Sequence, residues 1–280
     1  MNESPYNLAG ELQALAAKYE TREFIEGDPS WFMHQVKGEA NMEAAAFVAS
    51  SLSFGSRKQF MPRIAHIVFD LAGGEVDGWI RSRAYAQAFP ETCQDCFYRF
   101  YKVADMRRFF DDYNRLMSRH GSLREYVKAN CRGDGYLAVK AICSFFDSPP
   151  VPKDATSACK RVCMFLRWMV RDSSPVDLGL WKDIIDKRTL LMPLDTHVIQ
   201  QSQRLGLVEG KGSAGMSCAK RLTAKLAGFF PSDPLRADFA LFGYGVNNPA
   251  DGKILRDERA SARPAGQIAK PLRGTRRLAP

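Results

Sequence analysis

The segment LLMPLDTHVIQQSQRLGLVEG, residues 190–210, marks where one helix of this chain begins and ends. An apolar run ends at Pro193 and Leu194, and Asp195 follows at the position of a helix N-cap. Asp is a preferred N-cap residue because its carboxylate accepts hydrogen bonds from the first backbone amides of the helix. Gly206 is a natural residue just beyond the helix end. The segment therefore predicts a helix that carries a carboxylate at its N-terminus.

Apolar residues recur three and four positions apart along most of the chain, which places them on one face of an α-helix. The clearest segments are 42–52, 105–121, 157–171, 214–230 and 232–245. The alternating pattern of a β-strand is scarce. The sequence therefore predicts an all-α protein of about ten to twelve helices, each of ordinary length.

The composition is that of a globular protein without a membrane segment, since 45% of the 280 residues are hydrophobic. The N-terminal stretch MNESPYNLAGELQAL has neither the basic nor the apolar region of a secretory signal. The longest near-apolar run, AAAFVASSLSF, is far shorter than the ~20 residues that a membrane-spanning helix needs. We therefore expect a cytoplasmic protein with no membrane partner.

The seven cysteines are an odd number, and most lie within apolar patterns, which is typical of a reduced intracellular protein. Cys93 and Cys96 form a CxxC pair, but no second pair stands at the spacing of a zinc site. We therefore expect neither a metal nor another cofactor.

The net charge of +9 is unevenly distributed. Residues 251–280 carry eight Lys and Arg against three Asp and Glu, a net of +5. From residue 249 onward the large apolar residues are also few, so 249–280 is predicted to be a disordered basic tail. The helical domain is expected to span 1–248, and the proline-rich loop SPPVPKDATS divides it into lobes of roughly 1–150 and 151–248. A basic excess of this kind favours a polyanionic partner.

The predicted helix 157–171 places a lysine in its first turn. Ser157 is a plausible N-cap, and Lys160 follows three residues later. A helix N-terminus disfavours a cation, and a lysine amine attacks carbonyl-like carbons only in its neutral form. The alternative is a solvated basic face, because Lys160, Arg167 and Arg171 fall on the side opposite the apolar stripe.

Lys160 and Asp195 each open a predicted helix. If the two helix starts converge, an amine and a carboxylate share one cleft. Such an amine can displace a base from C1′ of a deoxyribose and form a Schiff base. The carboxylate can stabilise the positive charge that develops on the sugar and can carry protons.

The Lys160 segment and PLDTHV together resemble the nucleophile-helix and Asp elements of the helix-hairpin-helix DNA glycosylase superfamily. The spacing from Lys to Asp is more similar to archaeal 8-oxoguanine DNA glycosylases than to endonuclease III. Residues 20–248 resemble more closely still a bacterial family known as domain of unknown function 2400. The matching stretches are FIEGDPSWFMHQV, AAAFVASSLSFGSRKQF, FYRF, CKRVCMFLRWMVR, LWKDI, PLDTHV and DPLRADFALFGYGV.

The superfamily resemblance implies a helix-hairpin-helix glycosylase-like fold, with two helical lobes around a central cleft. It implies that Lys160 is the nucleophile and Asp195 the catalytic acid.

Two features depart from the superfamily pattern. DATSACK has no glycine where the superfamily hairpin has G-x-G before its Lys, the element whose backbone amides contact a phosphate. Only Cys218 follows Cys163, which excludes the four-cysteine iron–sulfur cluster at that position.

The expected DNA contacts fall into two groups. Contacts to phosphate are predicted for Ser157, Arg161, Arg167, Arg171, His197, Arg57 and Lys58. A base pocket, which holds a flipped base by stacking and hydrogen bonds, is predicted from Trp31, Phe32, His34 and Trp168. Alternatives stay open for each group: His197 as a surface or capping residue, Arg57 and Lys58 as a helix start, and the aromatic residues as core.

These observations favour a DNA-repair glycosylase, with possible lyase chemistry through Lys160, that acts as a monomer on damaged or abasic double-stranded DNA at the nucleoid. The alternative is a non-catalytic helical protein that binds nucleic acid on the same scaffold. A third reading is a small-molecule enzyme, which would need no salt-dependent binding of DNA. The first two are distinguished by whether Lys160 forms an imine.

Overall fold

A computed structural model describes residues 7–153, 155–208 and 215–247 of the chain. The predicted tail, 249–280, lies outside the described residues. The first part of the chain forms these helices: α1 (Leu8–Tyr19), α2 (Trp31–His34), α3 (Glu39–Leu52), α4 (Arg57–Ala65), α5 (Val76–Arg81), α6 (Tyr85–Ala88), α7 (Val103–His120), α8 (Leu123–Cys131) and α9 (Gly135–Phe145). The later part forms α10 (Lys160–Val170), α11 (Thr196–Arg204), α12 (Met216–Ala227), α13 (Arg236–Asp238) and α14 (Tyr244–Asn247). Short 3-10 segments lie at Arg22–Ile25 and Lys187–Thr189, and π-helical turns at His66–Leu71 and Phe239–Gly243.

The prediction of a mainly helical protein is confirmed, with one addition. Strands β1 (Cys96–Tyr98) and β2 (Tyr101–Lys102) pair as a short antiparallel hairpin between α6 and α7. The strands are only three and two residues long, too short to show an alternating pattern in the sequence. Within the described residues, no helix combines the length and apolarity required to cross a membrane.

Helix α10 lies at the centre of the core. It packs against α3, a helix whose residues are almost all buried. The ring of Phe165 on α10 lies 5.1 Å from the ring of Phe47 on α3 and 5.1 Å from the ring of Trp181. Trp168 on the same helix is completely buried. The packing fixes the direction of α10, and with it the position of Lys160 at its start.

Arg167 and Arg171 are only 3% and 1% exposed, so the alternative interpretation of this helix, a solvated basic face, is wrong for both. Arg171 forms ion pairs with Glu20 at 2.6 Å, Asp233 at 2.7 Å, and Asp177. The acids come from three separate segments of the chain, and a helical wheel of α10 alone contains no information about them. The cluster holds α10 against the N-terminal segment and against the segment that leads into α13.

Replacing Arg171 by methionine is expected to lower the free energy of unfolding by about 3–5 kcal/mol, because the change leaves buried carboxylates without their cation. Arg188→Met is the matched control, since the Arg188–Asp186 pair is exposed and exposed ion pairs contribute little to stability. Urea unfolding of both variants tests the prediction. A loss for Arg171→Met as small as that of the control would contradict it.

The predicted helical segment 232–245 is not one uniform α-helix, and Gly243 does not end it. The chain passes from α13 through the π-helical turns of Phe239–Gly243 into α14. Gly243 serves instead as the point where α1 approaches closely, because a Cβ atom there would lie 2.6 Å from Cγ of Tyr19. This contact supports the helical turns that carry Asp238 and Phe242.

Candidate active site

Asp195 is the N-cap of α11, as the sequence predicts. Its backbone is extended, and its Oδ1 accepts a hydrogen bond of 2.8 Å from the amide of Val198. Gly206 lies just beyond the helix end with a positive φ of 67°. The cap holds one carboxylate oxygen in place and leaves Oδ2 to face another group.

Helix α10 begins at Lys160 itself, so the prediction that Ser157 caps this helix is wrong. The N-cap is Cys159, which adopts the left-handed conformation with φ 45° and ψ 37°. This region of backbone space is unusual for a residue other than glycine. The turn before Lys160 is therefore made without the glycine that the superfamily hairpin carries, and Lys160 occupies the first position of the helix.

The starts of α10 and α11 bring Lys160 and Asp195 together. Nζ of Lys160 lies 3.5 Å from Oδ2 of Asp195. The lysine side chain is 33% exposed and the aspartate side chain 13%. The pair is therefore accessible from outside while its acid is mostly shielded from water. A carboxylate fixed by its own helix and an amine within contact distance can exchange a proton without movement of the backbone.

The pair lies in the wall of a cavity of about 310 Å³. A volume of this size falls at the lower end of the range for small-molecule sites. The lining combines apolar rings with ionisable groups: Phe24, Phe54, Phe60, Phe242, Asp28, Arg57, Lys160, Arg167, Asp195, His197 and Asp238. Such a lining suits a flat, apolar-faced ligand with polar edges.

Asp238 also lines the cavity, although the sequence predicts only a structural role for it, as a partner of Arg236 or of a buried backbone group. Burial raises its pKa to about 6, the positive charge of Arg167 opposes the rise, and the negative charge of Asp195 adds to it. Arg167 binds Asp238 and Asp177, so it lies between the buried cluster and the cavity. In the sequence, Asp238 could be recognised as a buried carboxylate from its position between apolar residues in RADFALFG.

Besides Arg167, two other residues expected to contact phosphate line the cavity: Arg57 and His197. Arg57 pairs with Asp28 at 3.2 Å and lies over the ring of Phe242 at 5.5 Å. His197 meets the same ring edge-on, with ring centres 6.0 Å apart. Lys58 is exposed and is not part of the lining.

Arg161 and Ser157 lie at a second depression beside the cavity, which shares Phe54 and Lys160 with it. The guanidinium of Arg161 donates to the carbonyl of Ser51 and to the hydroxyl of Tyr101, both at 2.7 Å. Arg167 and Arg171, in contrast, are enclosed by their acids and do not form an exposed phosphate-binding surface.

The four residues expected to form a base pocket lie elsewhere. Phe32 and Trp168 are buried in the core. Trp31 packs edge-on against Phe32, and Nε2 of His34 lies 2.8 Å from the carbonyl oxygen of Val176. Phenylalanines from other segments line the cavity instead. The sequence could not separate the two sets, because residue type alone does not tell which aromatic residues face the core.

Comparison with known proteins identifies the family. Residues 28–247 match the model of the family described as protein of unknown function (DUF2400). The match spans well over half of the chain, so the chain belongs to this family, and the resemblance to domain of unknown function 2400 is confirmed. No curated protein and no solved structure matches the chain. The resemblance to the helix-hairpin-helix glycosylases stays a prediction.

Proposed function

We propose that this member of the family is a DNA-repair glycosylase with lyase activity, built on a helix-hairpin-helix glycosylase-like scaffold whose central cleft contains Lys160 and Asp195. One observation carries the proposal: Nζ and Oδ2 lie 3.5 Å apart in the wall of a cavity of about 310 Å³. Glycosylases move the target nucleotide out of the duplex into such a pocket, where apolar and aromatic side chains hold the base.

In the proposed reaction, the neutral Lys160 amine attacks C1′ of the extruded nucleotide. The bond from C1′ to the base breaks, and the base departs with the bonding electrons and takes the proton released by the amine. The carboxylate of Asp195 stabilises the positive charge that the sugar develops. The ring oxygen then leaves C1′ and is protonated, which opens the sugar and gives a Schiff base between C1′ and Nζ. Asp195 is positioned to carry these protons.

The net charge of the chain and a depression beside the pair support a nucleic-acid substrate. The chain carries a net charge of +9, and neutralised phosphates supply most of the affinity of a DNA-binding protein. The second depression adjoins the cavity at Lys160 and contains Arg161 and Ser157. A phosphate in this depression and a base in the cavity would place the linking sugar beside Lys160.

The Lys160–Asp195 contact also fits a non-catalytic protein that binds nucleic acid on the same scaffold. In that case the ion pair simply fastens the start of α10 to the start of α11. Both functions predict DNA binding that weakens with salt. A screen of oligonucleotides with defined lesions, with borohydride present to reduce an imine, separates them. A covalent adduct supports the glycosylase, and a protein that binds but gives no adduct on any strand supports the binding module.

The basic tail gives a separate prediction. Removing residues 256–280 deletes seven Lys and Arg against two Asp and Glu. Fewer counterions are then released on binding, so the truncated protein should bind DNA more weakly and with a shallower dependence on salt. Its rate on saturating substrate should persist. Affinities measured across a salt series check this, and an unchanged slope would contradict it.

A further inference from the structure

We propose that Phe100 is the side chain that enters the base stack of the DNA next to the extruded nucleotide, an inference that rests on the proposed function. Phe100 is 67% exposed, and among the described residues it is the one large hydrophobic side chain that is exposed. It lies in the two-residue turn between β1 and β2, where Tyr98 and Tyr101 are paired.

The turn is held rigidly by the residues on either side of it. Tyr98 and Tyr101 are buried, and the hydroxyl of Tyr98 donates to the carbonyl of Phe54. The hydroxyl of Tyr101 accepts from Arg161 at 2.7 Å. Arg99 adopts a positive φ of 53°, which turns the chain between the strands. The Phe100 side chain is therefore exposed to solvent, while the backbone that carries it is held in place by the buried tyrosines.

Phe54 connects Phe100 to the cavity. The rings of Phe100 and Phe54 lie 5.2 Å apart, and Phe54 lines the cavity together with Lys160. Gly55, which follows Phe54, has a positive φ of 81° and lies against the Arg99 side chain, since a Cβ atom there would lie 2.2 Å from Nη1 of Arg99. A single aromatic ring thus separates the exposed side chain from the site of the proposed chemistry.

The charges around Phe100 fit DNA. The guanidinium groups of Arg99 and Arg161 lie over the ring of Phe54 at 5.5 and 5.2 Å. An exposed ring beside cations provides an apolar group for a base step and positive charge for the adjacent phosphates. Protein-binding surfaces instead present a contiguous apolar patch, and Phe100 stands alone among the described residues.

The test uses duplexes that contain a tetrahydrofuran abasic analogue, which has a gap in the stack but forms no imine. Affinities of wild type and Phe100→Ala are measured for this duplex, for an intact duplex and for a single strand. Stacking on a base is worth about 1–3 kcal/mol, so the variant should lose about 5- to 150-fold of its affinity for the gapped duplex. Its affinity for the intact duplex, which has no gap in the stack for the ring to enter, should be much less affected.

Two companion variants sharpen the result. Phe100→Trp should restore the preference for the gapped duplex, and its indole emission should be quenched on binding. Arg99→Gln removes a cation from the same turn and should weaken binding to the gapped and intact duplexes equally.

Two outcomes overturn the proposal: a Phe100→Ala variant with the full wild-type preference, or a wild type that does not distinguish gapped from intact duplex. The first outcome would assign the exposed ring to another partner, such as a protein surface. Neither depends on Lys160, because tetrahydrofuran forms no imine. A failure of the proposed chemistry would appear as an absent borohydride adduct while the Phe100 result stands.

Discussion

A Lys160→Gln variant is expected to give no borohydride-stable adduct with abasic or lesion-containing DNA under conditions in which the wild type does. Glutamine removes the amine and keeps both helix propensity and most of the side-chain length. The lysine side chain is 33% exposed and lies at the first position of α10, so the fold should persist. The adduct is measured by denaturing electrophoresis of labelled DNA, and binding by a separate equilibrium titration.

Lys128→Gln provides the matched control for this experiment. Lys128 is an exposed lysine on α8, outside the lining of the cavity. Its replacement removes the same charge and should leave the adduct at the wild-type level. An adduct that persists in Lys160→Gln would assign the nucleophile to another amine.

The second large effect is expected at Asp195. Asparagine is as good an N-cap as aspartate, so Asp195→Asn should retain the hydrogen bond from Val198. Its free energy of unfolding should lie within about 1 kcal/mol of the wild-type value. It removes the negative charge that faces Lys160. Removing a group that stabilises transition-state charge costs roughly 10²- to 10³-fold in rate, and a loss of this order is expected in single-turnover measurements.

Asp195→Ala separates the structural and catalytic contributions. Alanine removes the cap as well as the charge, so it should reproduce the loss of rate and add about 1 kcal/mol of destabilisation. An Asp195→Asn protein that folds normally and turns over at the wild-type rate would reduce this residue to a helix cap.

The parts of the site that could be predicted from sequence depend on short-range interactions. Asp195 satisfies an amide three residues along the chain, and Gly206 ends the same helix, so both were visible in one segment. Lys160 was visible as a cation at a helix start. The contact between Lys160 and Asp195 depends on how two helices pack. The sequence predicted this contact only on the assumption that the two helix starts converge.

The remaining features depend on residues distant in the chain. Arg167 and Arg171 looked solvated because their acidic partners lie on other segments. Cys159 takes a backbone conformation that its residue type does not suggest. Trp168 is of a residue type that stacks on bases, yet it faces the core, because residues 165–170 of α10 are all buried. Tertiary packing decided each of these positions.

The most direct test of the central claim is to map the adduct on the wild-type protein. The wild type is incubated with an abasic strand and borohydride, the adduct is digested, and the modified peptide is sequenced by mass spectrometry. We expect one modified residue, Lys160, at the start of α10. Modification of a different amine, or no adduct on any abasic or lesion-containing strand, would contradict it.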